Sequence, residues 1–301
     1  MIRVEASSVN PADWHILRGQ PVFSRLSLGL FRPKQKVLGA DFAGIVVQVG
    51  SKDSAFKVGD RVFGQTLLGG AFAEYISVSE SNCAHMPEGA GFGEMACVPV
   101  AGLTALQAVV THGKLKKGER VLINGASGGV GHFAVQLAKT VGAEVTAVCS
   151  GKNADFVKSL GADTVIPYDQ QDIHSHKGNY QLVVDMHGNL THADYRRMGQ
   201  RGVAVGFTMM RHMFSVVFRK AFSRFPLVQF TIQANQKDLE TLSSMIQSGQ
   251  VRVHIEKMFA HTALPEAISY IEAMRTRGKV GISWTEDAAL SFTTDRSPIN
   301  R

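Results

Sequence analysis

The run Arg120-Val-Leu-Ile-Asn-Gly-Ala-Ser-Gly-Gly-Val-Gly131 decides the fold. Its first residues read as a buried β-strand, the middle as a glycine-rich turn, and its end as the start of a helix. Val130, Phe133, Ala134, Leu137, Ala138 and Val141 then recur at helical spacing, so one face of that helix can pack on a sheet. Gly142 ends it, because glycine enters the left-handed conformation of a helix C-terminus without steric penalty. Glu144 to Cys149 supplies a second β-branched run. Strand, helix and strand therefore follow one another within a unit of about 30 residues, with Gly128, Gly129 and Gly131 at the turn. Such a turn lets a pyrophosphate approach backbone N–H groups at a helix N-terminus, where side chains would otherwise block it. A flexible loop would carry the same glycines without both flanking strands, so the segment reads as a dinucleotide site.

The end of the second strand discriminates between cofactors. An Asp or Glu there would hold the ribose hydroxyls of NAD and repel the extra phosphate of NADP. Ser150-Gly-Lys-Asn153 stands there instead. A hydroxyl, an ammonium and an amide suit a phosphate, so NADP(H) is the expected cofactor. Taken alone, Lys152 would be an ordinary solvated lysine.

With 301 residues and 45% hydrophobic content, the chain is long enough for two domains. No stretch approaches the roughly 20 apolar residues of a membrane span, and the N-terminus shows neither a signal-peptide nor a transit pattern. A cytoplasmic protein is expected, with an organellar one left open if the N-terminus is short. Cys83, Cys97 and Cys149 are too widely spaced for a disulfide framework or a zinc cluster, and read as buried thiols in a reducing compartment. The net charge of +7 is scattered, without a recognisable nucleic-acid module. A field that attracts an anionic cofactor accounts for it equally well.

Residues 1–95 carry alternating apolar runs (Val37 to Val49, Arg61 to Phe63, Ala71 to Val78) and turn signals such as Val58-Gly-Asp60, the pattern of a small β-rich domain. Over 96–251, strand and helix patterns alternate through Ala105 to His112, Val121 to Asn124, Asp155 to Leu160, Thr164 to Ile166, Leu182 to Asp185, Val203 to Phe207 and Lys237 to Gln247. This alternation implies a doubly wound parallel sheet, giving an α/β fold class. Residues 252–284, with a helix around Pro265 to Met274 and the strand Lys279 to Trp284, return to the first domain. The tail 285–301 is polar and without periodicity, the composition of a disordered segment.

In this order the chain resembles the zinc-independent quinone oxidoreductase (zeta-crystallin-like) branch of the medium-chain dehydrogenase/reductase superfamily, especially its reticulon-4-interacting-protein and chloroplast-envelope members. The resemblance spans roughly residues 1–284. It rests on Ser8-Val-Asn-Pro-Ala-Asp13, Leu38-Gly-Ala-Asp-Phe-Ala-Gly44, Val58-Gly-Asp-Arg-Val-Phe-Gly64, Gly70-Ala-Phe-Ala-Glu-Tyr75, Ala101-Gly-Leu-Thr-Ala105, Asn124 to Gly131 and Arg277-Gly-Lys-Val280. It implies a GroES-like β domain interrupted by a Rossmann domain, with the active site in the cleft between them, and a homodimer formed through an edge strand of the Rossmann sheet, Val203 to Phe207 or a neighbour.

Zinc-dependent relatives hold their catalytic metal with a Cys, a His-Glu pair and a second Cys. The resemblance places Asn10, Ala40-Asp41 and Val100 at those positions, which supply neither thiolate nor imidazole, and the four-cysteine loop of the structural zinc is missing. Without a Lewis acid, alcohol oxidation loses its main electrophilic assistance. A quinone or an α,β-unsaturated carbonyl spreads incoming charge onto its own oxygen, and hydride transfer to such an acceptor is the expected reaction. A cofactor-binding structural or regulatory protein with little turnover, and more weakly an alcohol dehydrogenase, remain as other readings.

The roles implied are these. Ser127, Gly128, Gly129 and Val130 offer backbone donors to the pyrophosphate, and Ser150, Lys152 and Asn153 hold the 2′-phosphate. Tyr168 resembles the family tyrosine beside the adenosine, and Phe207 joins the cofactor-binding set. Thr104 matches the threonine beside the nicotinamide, and Asn10 faces the same pocket; these two are the expected catalytic residues. Each has a plainer role available: Thr104 as a helix cap or core residue, Tyr168 as packing, Asn10 as a turn former before Pro11. For Asp13 and Asp41 a structural hydrogen-bonding role is expected.

Two departures complete the reading. The family begins with further strands, so a chain starting just before Ser8-Val-Asn10 is expected to leave a sheet edge unpaired. Met209 to Phe225 mixes apolar and basic residues, and suits a flap over the substrate, a dimer surface or contact with an anionic membrane.

Overall fold

The computed structural model describes residues 1–20, 25, 29, 35–66, 69–205 and 223–285. The chain opens with β1 (Ile2–Val9), α1 (Pro11–Arg18), β2 (Asp41–Val46), β3 (Arg61–Gln65), β4 (Tyr75–Ile76) and β5 (Cys83–His85), followed by α2 (Phe92–Ala96) and α3 (Pro99–Leu106). Strands and helices then alternate: β6 (Arg120–Asn124), α4 (Gly131–Val141), β7 (Glu144–Cys149), α5 (Ala154–Ser159), β8 (Thr164–Pro167), β9 (Tyr180–Asp185), α6 (His192–Met198), β10 (Gly199–Ala204) and β11 (Leu227–Gln229). Last come α7 (Gln236–Gln247), β12 (Ile255–Ala260), α8 (Leu264–Glu272) and β13 (Lys279–Ser283).

Contacts divide the chain into two units. The first holds Met1–Val100, Ala234–Ser248 and the chain from Val253 onward; the second holds Ala101–Gln233 and Gly249–Arg252. These bounds differ from 1–95, 96–251 and 252–284 chiefly at α7. The alternating pattern assigned that helix to the second domain, yet it packs on β5 of the first, with Ser243 Oγ donating to His85 O at 3.3 Å. Periodicity marks a buried helix face, here Leu239, Leu242 and Ser243, but not which sheet covers it.

The first unit is built on a seven-stranded sheet in the order β12-β13-β1-β2-β3-β5, with β4 also on β1. Only the β12–β13 pair is parallel. β1 is an interior strand: β2 lies along one side from Ile2 to Ser8, while β4 (beside Ile2 and Arg3) and β13 (beside Ala6 to Val9) line the other. The returning C-terminal strand and the short β4 thus share that side of β1, and among the described residues the sheet ends at β12 and β5. β1 alternates in burial at its start and is then buried at every residue from Ala6 to Val9. Ile2, Val4, Phe42, Val46 and Val62 fill one core, and Val9, Trp14, Ile268, Val280 and Ile282 fill another.

The second unit carries a six-stranded, all-parallel sheet in the order β11-β10-β9-β6-β7-β8. Val121, Leu122 and Ile123 in β6 and Leu182, Val183 and Val184 in β9 are fully buried, as expected for strands covered on both faces. The strand order reverses between β6 and β9. α4 buries more than the single apolar face its pattern announced, since every residue from Gly131 to Ala138 is buried. It contacts β6, β7 and the π-helical turn Gln107–His112, and its polar Gln136 is satisfied by Arg252, accepting its N–H (2.8 Å) and donating to its carbonyl (2.9 Å). β10 lies between β9 and β11, so of the strands named for a dimer edge the one holding Val203 is interior and the neighbouring β11 is the edge of the described sheet. Among the described residues no helix is long and apolar enough to cross a membrane, and the three cysteines are buried and unpaired.

Candidate functional site

The glycine-rich turn leaves β6 through Gly125, whose φ of +79° is the left-handed conformation that favours glycine. The carbonyl oxygen of Gly125 lies 2.1 Å from where a Cβ on residue 131 would stand, so Gly131 is what allows α4 to start tight against the turn. His132 N–H donates to Gly128 O at 3.0 Å and Ala134 N–H to Val130 O at 3.1 Å, winding the first turn of the helix. Gly128 is not simply a donor awaiting an anion. Its N–H closes the turn onto Gly125 O at 3.1 Å.

Ser150, Lys152 and Asn153 follow β7 in a single 3-10 turn, with Ser150 and Asn153 buried and Lys152 exposed. Asn153 Nδ2 donates to Ser127 Oγ at 3.0 Å, which joins two of the expected cofactor residues across neighbouring loops. Tyr168, just past β8, is 57% exposed and offers an open ring face, and its N–H is tied to Cys149 O at 3.0 Å. Sequence reasoning missed Asp169, whose two carboxylate oxygens accept the Gly151 N–H at 2.9 and 3.1 Å. It also missed Asp185, which ends β9 and fastens the reversal point of the sheet. Asp185 accepts the backbone N–H groups of His187, Gly188 and Leu190 and the side-chain amide of Asn124 at 2.8 to 3.0 Å. Burial pushes its carboxyl upward while those donors oppose the shift. These loops all leave the carboxyl ends of parallel strands, beside the point where strand order reverses, which is where open α/β sheets bind ligands.

The first unit holds a second constellation. Asn10, 4% exposed, ends β1 and caps α1, donating its backbone N–H to Asp13 Oδ2 at 2.8 Å. Its side-chain Nδ2 donates to Asp41 Oδ2 at 2.9 Å, and its Oδ1 accepts from Lys279 Nζ at 2.6 Å. Asp41 Oδ2 also accepts Ser8 Oγ–H at 2.6 Å and Lys279 Nζ at 3.3 Å, while Oδ1 accepts the Val100 N–H at 2.8 Å. Asp41 is fully buried and Lys279 is 3% exposed. Asp13 takes the Gly39 N–H on its other oxygen at 3.1 Å. Burial, with the nearby Asp41 carboxylate adding to it, raises the Asp13 carboxyl to about 6 against its hydrogen-bond donors. Cys97, also fully buried, has its thiol pushed up to about 12 by burial, far from thiolate character.

The resemblance assigns Asn10, Asp41 and Val100 to the catalytic-metal positions of zinc-dependent relatives, and the donor set they form does not fit zinc. It offers one carboxylate, an amide and a backbone N–H, with an ammonium already at that carboxylate and neither thiolate nor imidazole. Among the described residues no group of three or more His, Cys, Asp or Glu is placed to hold a metal.

Thr104 is 7% exposed and lies one helical turn beyond Val100 on α3. Asn10 belongs to the first unit and Thr104 to the second. Phe207 lies outside the described residues, as does Met209 to Phe225 apart from Ser223, Arg224 and Phe225.

Residues 1–88 match the alcohol dehydrogenase GroES-like domain, and residues 160–280 match the zinc-binding dehydrogenase family. The chloroplast envelope quinone oxidoreductase homolog of Arabidopsis thaliana is 35% identical over 271 residues, 85% of this chain and 80% of the relative. The trans-enoyl reductase pgmF of Aspergillus terreus is 32% identical over 307 residues, 93% of this chain and 85% of the relative. The structure of the quinone oxidoreductase from Coxiella burnetii superimposes with a TM-score of 0.84 at 29% identity, covering 94% of this chain and 90% of that one.

Proposed function

Because this chain belongs to the medium-chain dehydrogenase/reductase superfamily of oxidoreductases, among its quinone oxidoreductase homologues, we propose that it transfers hydride from NADPH to a quinone or an α,β-unsaturated carbonyl without a metal ion. Its fold combines the GroES-like domain with a Rossmann-like domain. One observation carries the cofactor reading. The Ser150-Gly-Lys-Asn153 turn, free of acidic side chains, is joined to the glycine turn through Asn153 and Ser127 at the carboxyl edge of the parallel sheet.

In this reading NADPH supplies the hydride from its nicotinamide ring. Ser127, Gly129 and Val130 offer backbone donors to the pyrophosphate while Gly128 closes the turn that presents them. Ser150, Lys152 and Asn153 hold the 2′-phosphate, with Lys152 supplying the positive charge. Tyr168 packs on the adenosine. Thr104 orients the nicotinamide, and Asn10 donates to the oxygen of the acceptor, where negative charge gathers as hydride arrives. Water supplies the closing proton. Relatives named as a quinone oxidoreductase homolog and a trans-enoyl reductase support the acceptor class, since both names denote conjugated, electron-poor acceptors. The amide, carboxylate and ammonium at the metal positions speak against the alcohol dehydrogenase reading. The reading as a binding protein with little turnover is separated from this one by the assay below. A homodimer and a reducing, cytoplasmic compartment belong to the same proposal.

The test is a steady-state assay of NADPH oxidation with a panel of quinones and enones, run with and without a metal chelator. Chelator-insensitive turnover with kcat/KM at least about tenfold higher for NADPH than for NADH is expected, equivalent to roughly 1.4 kcal/mol of discrimination. Absence of turnover across the panel, or loss of activity on chelation, would overturn the reading.

A further inference from the structure

Lys279 is a buried cation that the proposed chemistry has not used. It opens β13, is 3% exposed, and reaches two side chains: Asn10 Oδ1 at 2.6 Å and Asp41 Oδ2 at 3.3 Å. A buried ammonium is costly to keep, and the hydrophobic β13 around it (Val280, Ile282) shows no local need for charge. Its setting gives the reason for keeping it. Asn10, Asp41 and Val100 come from three separate elements, at the positions the resemblance assigns to metal ligands; here Asn10 and Asp41 Oδ2 meet an ammonium while the Val100 N–H holds Asp41 Oδ1. The Asn10 amide is thereby held in one orientation. Its oxygen faces the ammonium, and one of its two N–H bonds is engaged by Asp41. A cation on the amide oxygen draws electron density from the nitrogen and makes the other N–H a stronger donor.

We propose that the Lys279 ammonium replaces the metal ion of zinc-dependent relatives and acts as a positioning residue: through Asn10 it provides the fixed positive charge against which the oxygen of the acceptor gathers electrons. The proposal rests on the reductase reading above. When hydride brings two electrons to the conjugated acceptor, its π pair shifts onto the oxygen, and that oxygen later takes a proton from water. Lys279 keeps its own protons throughout. Its charge is present before substrate arrives, so no reorganisation is needed at the moment of transfer. Asp41 holds the ammonium in place from the opposite side and is itself held by Ser8 and the Val100 N–H.

The experiment compares the wild type with Lys279→Arg, Lys279→Met and the double variant Lys279→Met/Asp41→Asn. The double variant removes both charges, so that no buried carboxylate is left unpaired and the fold is retained. The expected result is a kcat lowered by roughly 10- to 100-fold in both methionine variants with KM changed by less than about threefold, and partial recovery in Lys279→Arg. NADPH affinity by calorimetry is expected to stay within about twofold of the wild type, because cofactor contacts lie in the other unit. Independently of activity, nitrogen-labelled lysine in the wild type is expected to show a slowly exchanging ammonium resonance that Lys279→Met lacks, and zinc titration is expected to give no stoichiometric binding. A folded double variant with wild-type kcat, absence of the protected ammonium signal, or stoichiometric zinc in the wild type would each overturn the proposal. A wild type that turns over no quinone or enone while keeping the ammonium signal would locate the failure in the reductase reading instead.

Discussion

The glycine turn after β6 and the polar constellation around Asp41 handle charge in opposite ways. The turn brings a helix N-terminus beside a loop with one exposed lysine, and in the proposed function these face an incoming anion. The Asp41 constellation draws side chains from the end of β1, the start of β2 and the start of β13 and a backbone N–H from the start of α3, and closes its charges on one another away from water. A site meant to bind a charged ligand keeps donors available. The Asp41 constellation instead satisfies its groups on one another.

That contrast can be broken most severely at Asp41. Asp41→Ala should lower stability by about 3–5 kcal/mol, since it strands the Lys279 ammonium in the interior together with the Ser8 hydroxyl and the Val100 N–H; urea denaturation checks this. Gly131→Ala places a methyl group 2.1 Å from Gly125 O and should destabilise by about 1–3 kcal/mol. Because the clash sits in the turn, calorimetry should also show NADPH affinity falling by more than about tenfold, a loss that Asp41→Ala does not share.

The Asp13 carboxyl, raised to about 6 by burial, sharpens the contrast through pH. Its folded-state value lies above the unfolded one, so its contribution favours the fold below about pH 4 and is lost as pH rises through about 6. The full change is on the order of 3 kcal/mol, about 2 of it between pH 4.5 and 7, and the stability difference between wild type and Asp13→Asn, measured by denaturant titration over that range, should follow that curve. The smallest effect belongs to the cofactor loop. Lys152→Ala should weaken NADPH binding by about tenfold, roughly 1.4 kcal/mol, and leave NADH almost unchanged, with the difference shrinking as salt rises. Equal losses for both cofactors would remove Lys152 from the 2′-phosphate site.

The parallel sheet and its glycine turn were legible because their determinants are neighbours in the chain. Glu144–Cys149 is a strand with the bounds its residues announced, and α4 stops at Gly142 in the left-handed conformation expected of it. Elements whose partners are distant were legible only in part. The helix pattern of α7 was visible, but its packing on β5 was not. That β4 and β13 share one side of β1 was not readable from β1 itself, and neither was the place of β11 outside β10. Asp169 stood in plain sight after Tyr168, yet its bond to Gly151 depends on the β7–β8 register that aligns Cys149 with Pro167.

Sequence alone determined the strand, glycine turn, helix and strand from β6 to β7 and the lack of an acidic residue in the turn after β7. These follow from backbone geometry and from side chains within a few residues of one another. The tertiary structure alone decided that Asn10, Asp41, Val100 and Lys279 meet, because pairing β1 with both β2 and β13 brings chain segments far apart in sequence to one buried point. No local preference of a lysine or an asparagine foretells that meeting; it is imposed by sheet order and register.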